Sequence, residues 1–294
     1  MKILNAIGNW FKEITKTIRL MWRNSSGRIG LTLFLILLLT SYVGPTFVPL
    51  PREADISNIY AGPSWQHPLG TNEAGKDNLA LIINGGKDVI LVAFIAGLIT
   101  VFIAVAVGSI SAFVGGKVDT FLMEFVNVFL TIPQFPLLAV LASLVKFNSP
   151  ILLAVLLGLL SWAGLARQIR SQVLSLRKRE FVEAAVTLDL GTPHILLKEL
   201  LPNMMSYIAI SLVFAMTSAI FQQTGLIFLG IVPLSGSNWG VLLSIAYNKG
   251  ALFNARAAWT LAAPVFMIVL FELSLVLISR SLDDAFNPRL RTEV

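Results

Sequence analysis

Long runs without charge alternate with short charged segments along most of this chain. A transmembrane helix needs about 20 apolar residues, and six apolar stretches of roughly that length can be separated. The predicted spans are 29–50, 89–116, 120–145, 151–166, 200–231 and 258–278. Pro133 and Pro136 lie in the third span, and each removes a backbone hydrogen bond, so we expect a kink or break there. The pattern predicts an all-α membrane protein with six transmembrane helices.

The N-terminal segment, residues 1–28, has a different pattern from the spans. Its apolar residues recur at helical spacing opposite a basic face. Such a helix lies in the membrane interface, where the basic face meets anionic headgroups. We therefore expect an amphipathic interfacial helix, with a partly ordered tail as the alternative. Near the other end, turn-forming residues at 233–240 precede a predicted short interfacial helix at 241–247.

The placement of positive charge predicts the orientation. Six spans put both termini on one side, and 16 of the 22 Lys and Arg residues fall on that side. By the positive-inside rule that side is the cytoplasm of a multi-pass protein of the cell membrane. The net charge of +6 then follows from topology, and nucleic-acid binding is not expected. The predicted organisation is a cytoplasmic amphipathic helix (1–28), a transmembrane domain (29–280) with an extracytoplasmic segment (52–87) and a cytoplasmic loop (167–202), and a cytoplasmic tail (281–294).

Composition argues against a soluble domain and against catalysis. Hydrophobic residues make up 56% and charged residues 13% of the chain, whereas soluble domains carry about 25% charged residues. Without cysteine there is no thiolate metal site and no cysteine nucleophile. His67 and His194 are the only histidines and lie in distant segments, so neither a metal cluster nor a Ser/His/Asp site is expected. No nucleotide-binding G-x-x-x-x-G-K-[ST] loop is present. We expect no enzyme activity and no cofactor in this chain.

The charged loop after the fourth span contains a helix-forming stretch. Ala184 and Ala185 give this helix a low face that another backbone can approach closely. Glu183 can pair with Arg179, four residues earlier, or with a cation on a partner. Gly191 permits a sharp turn before the next helix, which has a proline in its first turn. These residues predict two short helices joined at a glycine, at the cytoplasmic edge of the membrane. They form either a docking surface for a soluble protein or an ordinary amphipathic loop.

Several motifs in fixed order carry a family resemblance. The trio 183–185 (E-A-A), followed by Gly191 and Leu201-Pro202, resembles the E-A-A loop of ABC-importer permeases. Residues 67–77 (HPLGTNEAGKD) resemble the HPLGTDxxGRD segment of dipeptide- and oligopeptide-type permease subunits, a type that includes nickel permeases. Later signatures are similar at 228–230 (FLG), 237–240 (SNWG) and 287–291 (NPRLR). The resemblance covers about residues 29–291.

The resemblance implies a mechanism and a set of partners. In that family a second permease subunit, two cytoplasmic ATPase subunits that bind ATP and Mg²⁺, and an extracytoplasmic binding protein complete the importer. The E-A-A helix seats in a groove of one ATPase and transmits its closure to the spans. Peptide is the expected substrate, with oligosaccharide or nickel as alternatives. Replacing Glu183 with arginine or Gly191 with valine is expected to uncouple ATP hydrolysis from uptake. The implied ATPase-coupling residues are Phe181, Glu183, Ala184, Ala185, Leu188 and Gly191.

Three residues are candidates for the substrate path. The family often has aspartate where Asn127 stands and an acidic residue near Gln223. Glu272 is a carboxylate inside the sixth span, which makes it a functional candidate; the alternative is a structural partner, close to the cytoplasmic interface and Arg280. The segment 52–87 either lines the extracytoplasmic mouth or forms a compact cap. Its candidate contacts with substrate or binding protein are Trp65, His67, Asn72, Glu73 and Asp77.

Two other function classes compete with the importer. An ion-coupled secondary transporter needs inverted repeats and intramembrane ion sites. Only Glu272 and the break at Pro133 and Pro136 are candidates for such sites, and no repeat is visible. A membrane-embedded enzyme needs a catalytic constellation, and the sequence offers none.

Overall fold

The computed structural model describes residues 15, 17–144, 149–232 and 236–286. Within these residues the protein is helical, apart from turns and one isolated β-bridge between Thr71 and Asp77. The longer helices are α1 (Ser25–Tyr42), α2 (Asn78–Val114), α3 (Gly116–Thr131), α4 (Gln134–Leu144), α5 (Pro150–Leu176), α6 (Glu180–Thr187), α7 (Leu201–Phe228), α8 (Trp239–Asn248) and α9 (Ala258–Phe286). Short helical turns lie at Gly44–Phe47, Ile56–Asn58, Thr192–His194, Ile195–Leu200, Ala251–Phe253 and Ala255–Ala257.

Membrane-spanning helices account for most of the chain. Among the described residues, five helices are long and apolar enough to cross a bilayer: Ser25–Tyr42, Asn78–Val114, Pro150–Leu176, Thr192–Phe228 and Ala255–Ala285. The pair α3 and α4 passes the same test together and is bent by 80°. The bend lies between Thr131 and Gln134, where Pro133 was predicted to break the helix. The prediction of an all-α membrane protein is confirmed, with five candidate spans among the described residues, and six if the bent pair, the predicted third span, crosses as one.

The predicted termini are only partly described. Most of the proposed N-terminal amphipathic helix, residues 1–14 and 16, and the end of the tail, 287–294, lie outside the described residues. Residues 17–23 are helical, and Met21 is buried against α1 and α9. Asn24 then caps α1, its side-chain oxygen accepting a hydrogen bond from the Ser26 N–H.

Helix α2 starts earlier than its hydrophobicity predicts. It begins at Asn78 rather than Val89, because Asp77 caps it by accepting a hydrogen bond from the Ala80 N–H at 3.0 Å. A polar residue in the first turns of α2 is hydrogen-bonded to another part of the chain: the Asn84 amide donates to the Val48 carbonyl oxygen at 2.9 Å. The predicted polar segment 52–87 therefore ends at Asp77 as a compact segment, and its remainder is helix.

A buried tryptophan joins α8 and α9 to α2. The Trp239 ring packs edge-on against Phe271 of α9, and its Nε1–H donates to the Ile82 carbonyl oxygen at 2.9 Å. Gly86 permits this approach, since a Cβ there would lie 2.7 Å from the Trp239 ring. Helix α2 is the centre of the domain and also packs against α1, α5 and α7.

Residues 52–77, here called the cap, form a closed hydrogen-bonded structure at the start of α2. The Asn72 side-chain oxygen accepts from the N–H groups of Ala74 and Lys76, both at 2.9 Å. Gly75 has a φ of +68° and lies so close to the Asp55 carbonyl that a Cβ would not fit. Hydrogen bonds from the Ser57 and Asn58 side chains hold the pKa of Asp55 below its ordinary value.

The residues predicted to line the extracytoplasmic mouth have different surroundings within the cap. Asn72 is buried and structural, whereas Trp65 is fully exposed. His67 Nδ1 lies 3.4 Å from the Asp77 carboxylate, next to the start of α2. Glu73 is half-buried beside Asn72 and lines a small cavity with Thr260. This arrangement favours the compact cap, with Trp65 as its one candidate contact that projects freely.

Candidate functional site

Helix α6, which carries the E-A-A trio, is fixed to the membrane domain at the end opposite the cap. Val182 and Ala185 are buried in a cluster of side chains from several elements. The other buried members are Ala112 on α2, Ile169 and Val173 on α5, Ile195, and Leu200 and Met204 at the start of α7. This cluster is here called the platform. Helices α2, α5 and α7 each have one end in it, so α6 rests on helices that run through the whole domain.

The opposite face of α6 is open and partly apolar. Phe181, Val186 and Leu188 are exposed, Leu188 to 70%. Glu183 and Ala184 lie on the same exposed side. Exposed apolar side chains beside a carboxylate on a short helix suit a surface that another protein covers.

Two details of the predicted α6 face need correction. Ala184 and Ala185 do not share a face: Ala185 points into the platform and Ala184 points outwards. Of the two pairings open to Glu183, the ion pair with Arg179 is not found among the described residues, where the two meet through a backbone hydrogen bond. The Glu183 carboxylate therefore remains available to a cation on a partner.

The turn after α6 depends on Gly191. This residue has φ +75° and ψ 150° and begins the short helix Thr192–His194. That conformation is practically restricted to glycine. The chain continues as a π-helix, Ile195–Leu200, directly into α7. The predicted pair of short helices joined at a glycine is present, and its second helix is continuous with a membrane span.

A salt bridge that the sequence analysis missed ties α5 to α3. The Arg170 guanidinium donates from Nε and Nη2 to both carboxylate oxygens of Asp119, at 2.6 and 2.5 Å. The Ser111 hydroxyl also donates to Asp119. Arg177, the residue directly after α5, donates to the Ala112 carbonyl oxygen at 3.3 Å. Helix α5 thus holds the turn between α2 and α3 just before the chain enters α6. The sequence signal was a carboxylate in the first turn of α3, near a predicted arginine-rich helix end.

Breaking this salt bridge is expected to destabilise the subunit. Arg170→Ala leaves Asp119 without its bidentate partner, at a cost of about 1–3 kcal/mol, between the values for exposed and buried pairs. Arg170→Lys keeps the charge but loses the two-pronged geometry, so it should fall between wild type and Arg170→Ala. The measurement is thermal unfolding of the detergent-solubilised subunit. Lys117→Ala, which removes an exposed cation from the same region, is the control, and equal melting temperatures for all variants would contradict the role of the pair.

A groove lies between α3 and α5, beside this salt bridge. Its volume is about 410 Å³. It is lined by Asp119, Thr120, Met123, Glu124, Asn127, Arg167 and Arg170. Arg167 Nη2 donates to the Asn127 side-chain oxygen at 2.6 Å, and both residues are exposed. The groove is therefore polar, charged and open.

The three predicted path residues are not brought together. Asn127 lines the groove. Gln223 is 1% exposed and donates to the Val89 carbonyl oxygen at 3.0 Å, so it belongs to the packing between α7 and α2. Glu272 is half-buried on α9, and its Oε1 atom is buried without a hydrogen-bond partner among the described residues. No ion pair with Arg280 is found among these residues. Nor, in that part of the chain, do three His, Asp or Glu side chains converge on a possible metal site.

Comparisons with known proteins agree with this architecture. The family model for "Binding-protein-dependent transport system inner membrane component" matches residues 104–292. A putative peptide permease of Brucella suis biovar 1 is 34% identical over 270 residues, covering 91% of this chain and 88% of the relative. The oligopeptide transport system permease protein OppC of Haemophilus influenzae is 32% identical over 277 residues, 92% of this chain and 87% of that protein. OppC of Mycobacterium tuberculosis is 30% identical over 281 residues, 95% of each chain. The chain belongs to the family of inner membrane components of binding-protein-dependent transport systems, the permease subunits of ABC importers.

Proposed function

We propose that this subunit forms half of the translocation pathway for peptides in an ABC importer. Its proposed partners are a second, similar permease, two cytoplasmic ATPase subunits that bind ATP and Mg²⁺, and an extracytoplasmic binding protein. Both termini and α6 then lie in the cytoplasm, and the cap faces outwards. The observation that carries the proposal is the two-sided seating of α6, with one face buried on α2, α5 and α7 and the other exposed.

The proposed coupling follows from that seating. An ATPase subunit docks on the exposed face, where Phe181, Val186 and Leu188 supply apolar contact and Glu183 meets a cation. ATP-driven closure moves α6, and the buried face passes the movement to the platform. The Asp119–Arg170 salt bridge then makes α3 follow α5. Positioning of this kind requires a tight contact, because a loose one would lose the movement.

Peptide is the proposed substrate because relatives with 30–34% identity over most of their length are described as peptide or oligopeptide permeases. Oligosaccharide and nickel remain alternatives within the same importer class. An ion-coupled transporter would require Glu272 to act as an ion site. Among the described residues Glu272 belongs to no group of three His, Asp or Glu side chains that could hold an ion, so the importer is the better supported class.

The test is isolation of the complex followed by transport. The subunit, tagged and mildly solubilised from its native membrane, is expected to copurify with a second permease and with ATPase subunits. Reconstituted with the accompanying binding protein, the complex should accumulate labelled peptide in proteoliposomes only with ATP. Parallel assays with oligosaccharide and Ni²⁺ separate the substrate classes. Recovery of this chain alone, or as a homo-oligomer without ATPase, would overturn the proposal.

A further inference from the structure

Two groups of polar side chains, here together called the lane, lie on α3, α4, α5 and α7. The lane begins in the groove with Glu124, Asn127 and Arg167. Beyond it, the Gln134 amide of α4 donates to the Ser161 hydroxyl of α5 at 2.6 Å. That hydroxyl in turn lies 3.4 Å from the side-chain oxygen of Gln222 on α7. Four helices thus contribute polar groups to the lane.

The Ser161 end of this lane lies inside the candidate span Pro150–Leu176, whereas the groove lies nearer the end of that helix that leads into α6. With a rise of 1.5 Å per residue, Glu124 is about 12 Å from the start of α3, and Arg167 is about 14 Å from the end of α5. Ser161 is about 22 Å from the end of α5, near the middle of that helix. Charged and amide side chains are costly in contact with lipid tails. The lane must therefore face water or protein in the assembled transporter.

The exposed surface of the central helix differs from the lane. Phe94, Leu98 and Phe102 of α2 are exposed, Phe102 to 75%, and all are apolar. The same is true of Val265, Phe266 and Val269 on α9. These surfaces suit lipid, so the polar lane marks a separate side of the subunit.

The charges in the groove are of two kinds. Asp119 and Arg170 neutralise each other through their salt bridge. Arg167 is bonded to a neutral amide oxygen, and neither Arg167 nor Glu124 has an ion pair among the described residues. The groove therefore offers one cation and one anion without charged partners among the described residues, in an open space of about 410 Å³.

We propose that the lane lines the translocation path and that its groove binds a zwitterionic peptide by its two ends. Arg167 takes the C-terminal carboxylate, for which its guanidinium geometry is suited, and Glu124 takes the N-terminal ammonium. Asn127 holds the Arg167 side chain in place. This inference rests on the proposed importer function and adds a binding site on the inner half of the path, with both charged ends of the peptide as the recognised groups.

The lane is tested by water accessibility. The chain contains no cysteine, so single cysteines report their own position once the subunit is separated on a gel. In the purified complex, a charged thiol reagent should label Gln134→Cys about tenfold or more faster than Phe102→Cys, because the thiolate forms in water and not in lipid. Equal labelling rates would overturn the assignment of this side to the path.

The groove is tested by protection from the same reagent. Thr120→Cys lines the groove and reports on its occupancy. A mixture of tripeptides with free ends should slow its labelling, whereas the same mixture acetylated and amidated should not. Arg167→Gln and Glu124→Gln should each raise the peptide concentration needed for protection about tenfold, the effect of losing one charge-assisted hydrogen bond. Lys117→Gln, which removes a cation outside the groove, should leave protection unchanged.

The result separates this inference from the importer function. ATP-dependent uptake is measured on the same preparation. If peptide is taken up but does not slow labelling of Thr120→Cys, or if free and blocked tripeptides slow it equally, the proposed peptide site in the groove is wrong. The proposed importer function would still stand. A preparation without ATPase subunits would overturn both.

Discussion

Val182→Asp is expected to destabilise the subunit itself, whereas Val186→Asp, one turn further along the same helix, should leave it folded and abolish coupling. Val182 is 0% exposed in the platform under α6, and Val186 is 54% exposed on the outer face. A carboxylate at Val182 would be buried without a partner, at a cost of about 3–5 kcal/mol. A carboxylate at Val186 is solvated in the isolated subunit but meets the surface that the ATPase is proposed to cover.

Two measurements separate these effects. The melting temperature of the solubilised subunit should fall for Val182→Asp and remain at the wild-type value for Val186→Asp. Copurification of the ATPase, followed by ATP-dependent uptake, should be lost for Val186→Asp although the subunit is present in the membrane at normal level. Thr187→Asp, which adds a carboxylate at the neighbouring exposed position, shows whether the effect requires the apolar part of the face. Normal ATPase binding by Val186→Asp would contradict the docking surface.

The E-A-A trio shows where prediction from sequence stops. Its position on a short helix before a glycine turn followed from residue types and spacing, and the structure has it. The orientation of the helix did not follow, because Ala184 and Ala185 are chemically identical and only packing on Ile169, Val173 and Leu200 decides which of them is buried. Arg179 is the extended N-cap residue of α6, so the geometry that lets residues four apart pair within a helix does not hold for Arg179 and Glu183.

The substrate path shows a similar limit. Hydropathy located the span 200–231 but not its rotation, and Gln222 and Gln223 are adjacent amides. The structure turns Gln223 into the packing against Val89 and places Gln222 on the polar lane. Asn127 could be selected from the sequence because it departs from the family pattern. Its partner Arg167 follows the fourth apolar run and belongs by sequence to the charged loop. The sequence does not show which helix packs beside that position, so the contact with Asn127 could not be predicted.

The ends of helices could be predicted where charged residues or prolines set them. They could not be predicted where polar side chains inside a helix form hydrogen bonds to other parts of the protein. The bend of α3 and α4 lies at Pro133 as predicted. The first turns of α2 contain Asn84, Lys87 and Asp88, which hydropathy assigns to a loop. Asn84 bonds to the Val48 carbonyl, an acceptor supplied by a distant part of the chain.

Gly191→Val is expected to uncouple ATP hydrolysis from uptake while the subunit still inserts and folds. Gly191 has φ +75° and ψ 150°, a conformation that costs other residues about 1–3 kcal/mol. A Cβ at this position meets no atom within 4 Å, so the penalty comes from the backbone and not from crowding. The chain can relieve it only by changing φ, which alters the angle between α6 and the helix that continues into α7. A loss of about 1–3 kcal/mol in the free energy that couples ATP hydrolysis to uptake corresponds to a change of about 5- to 150-fold in the coupling factor.

The readout is the number of ATP molecules hydrolysed per peptide taken up by the reconstituted importer. Gly62→Val is the matched control, because Gly62 also has no atom within 4 Å of a built Cβ and has no positive φ. It should keep the wild-type ratio, whereas Gly191→Val should raise the ratio at least about fivefold with the ATPase still bound. Gly191→Ala should resemble Gly191→Val, since any Cβ meets the same backbone restriction. If Gly191→Ala and Gly191→Val both transport with the wild-type ratio, the angle set at Gly191 does not carry the movement from α6 to α7, and the platform under Val182 and Ala185 alone must transmit it.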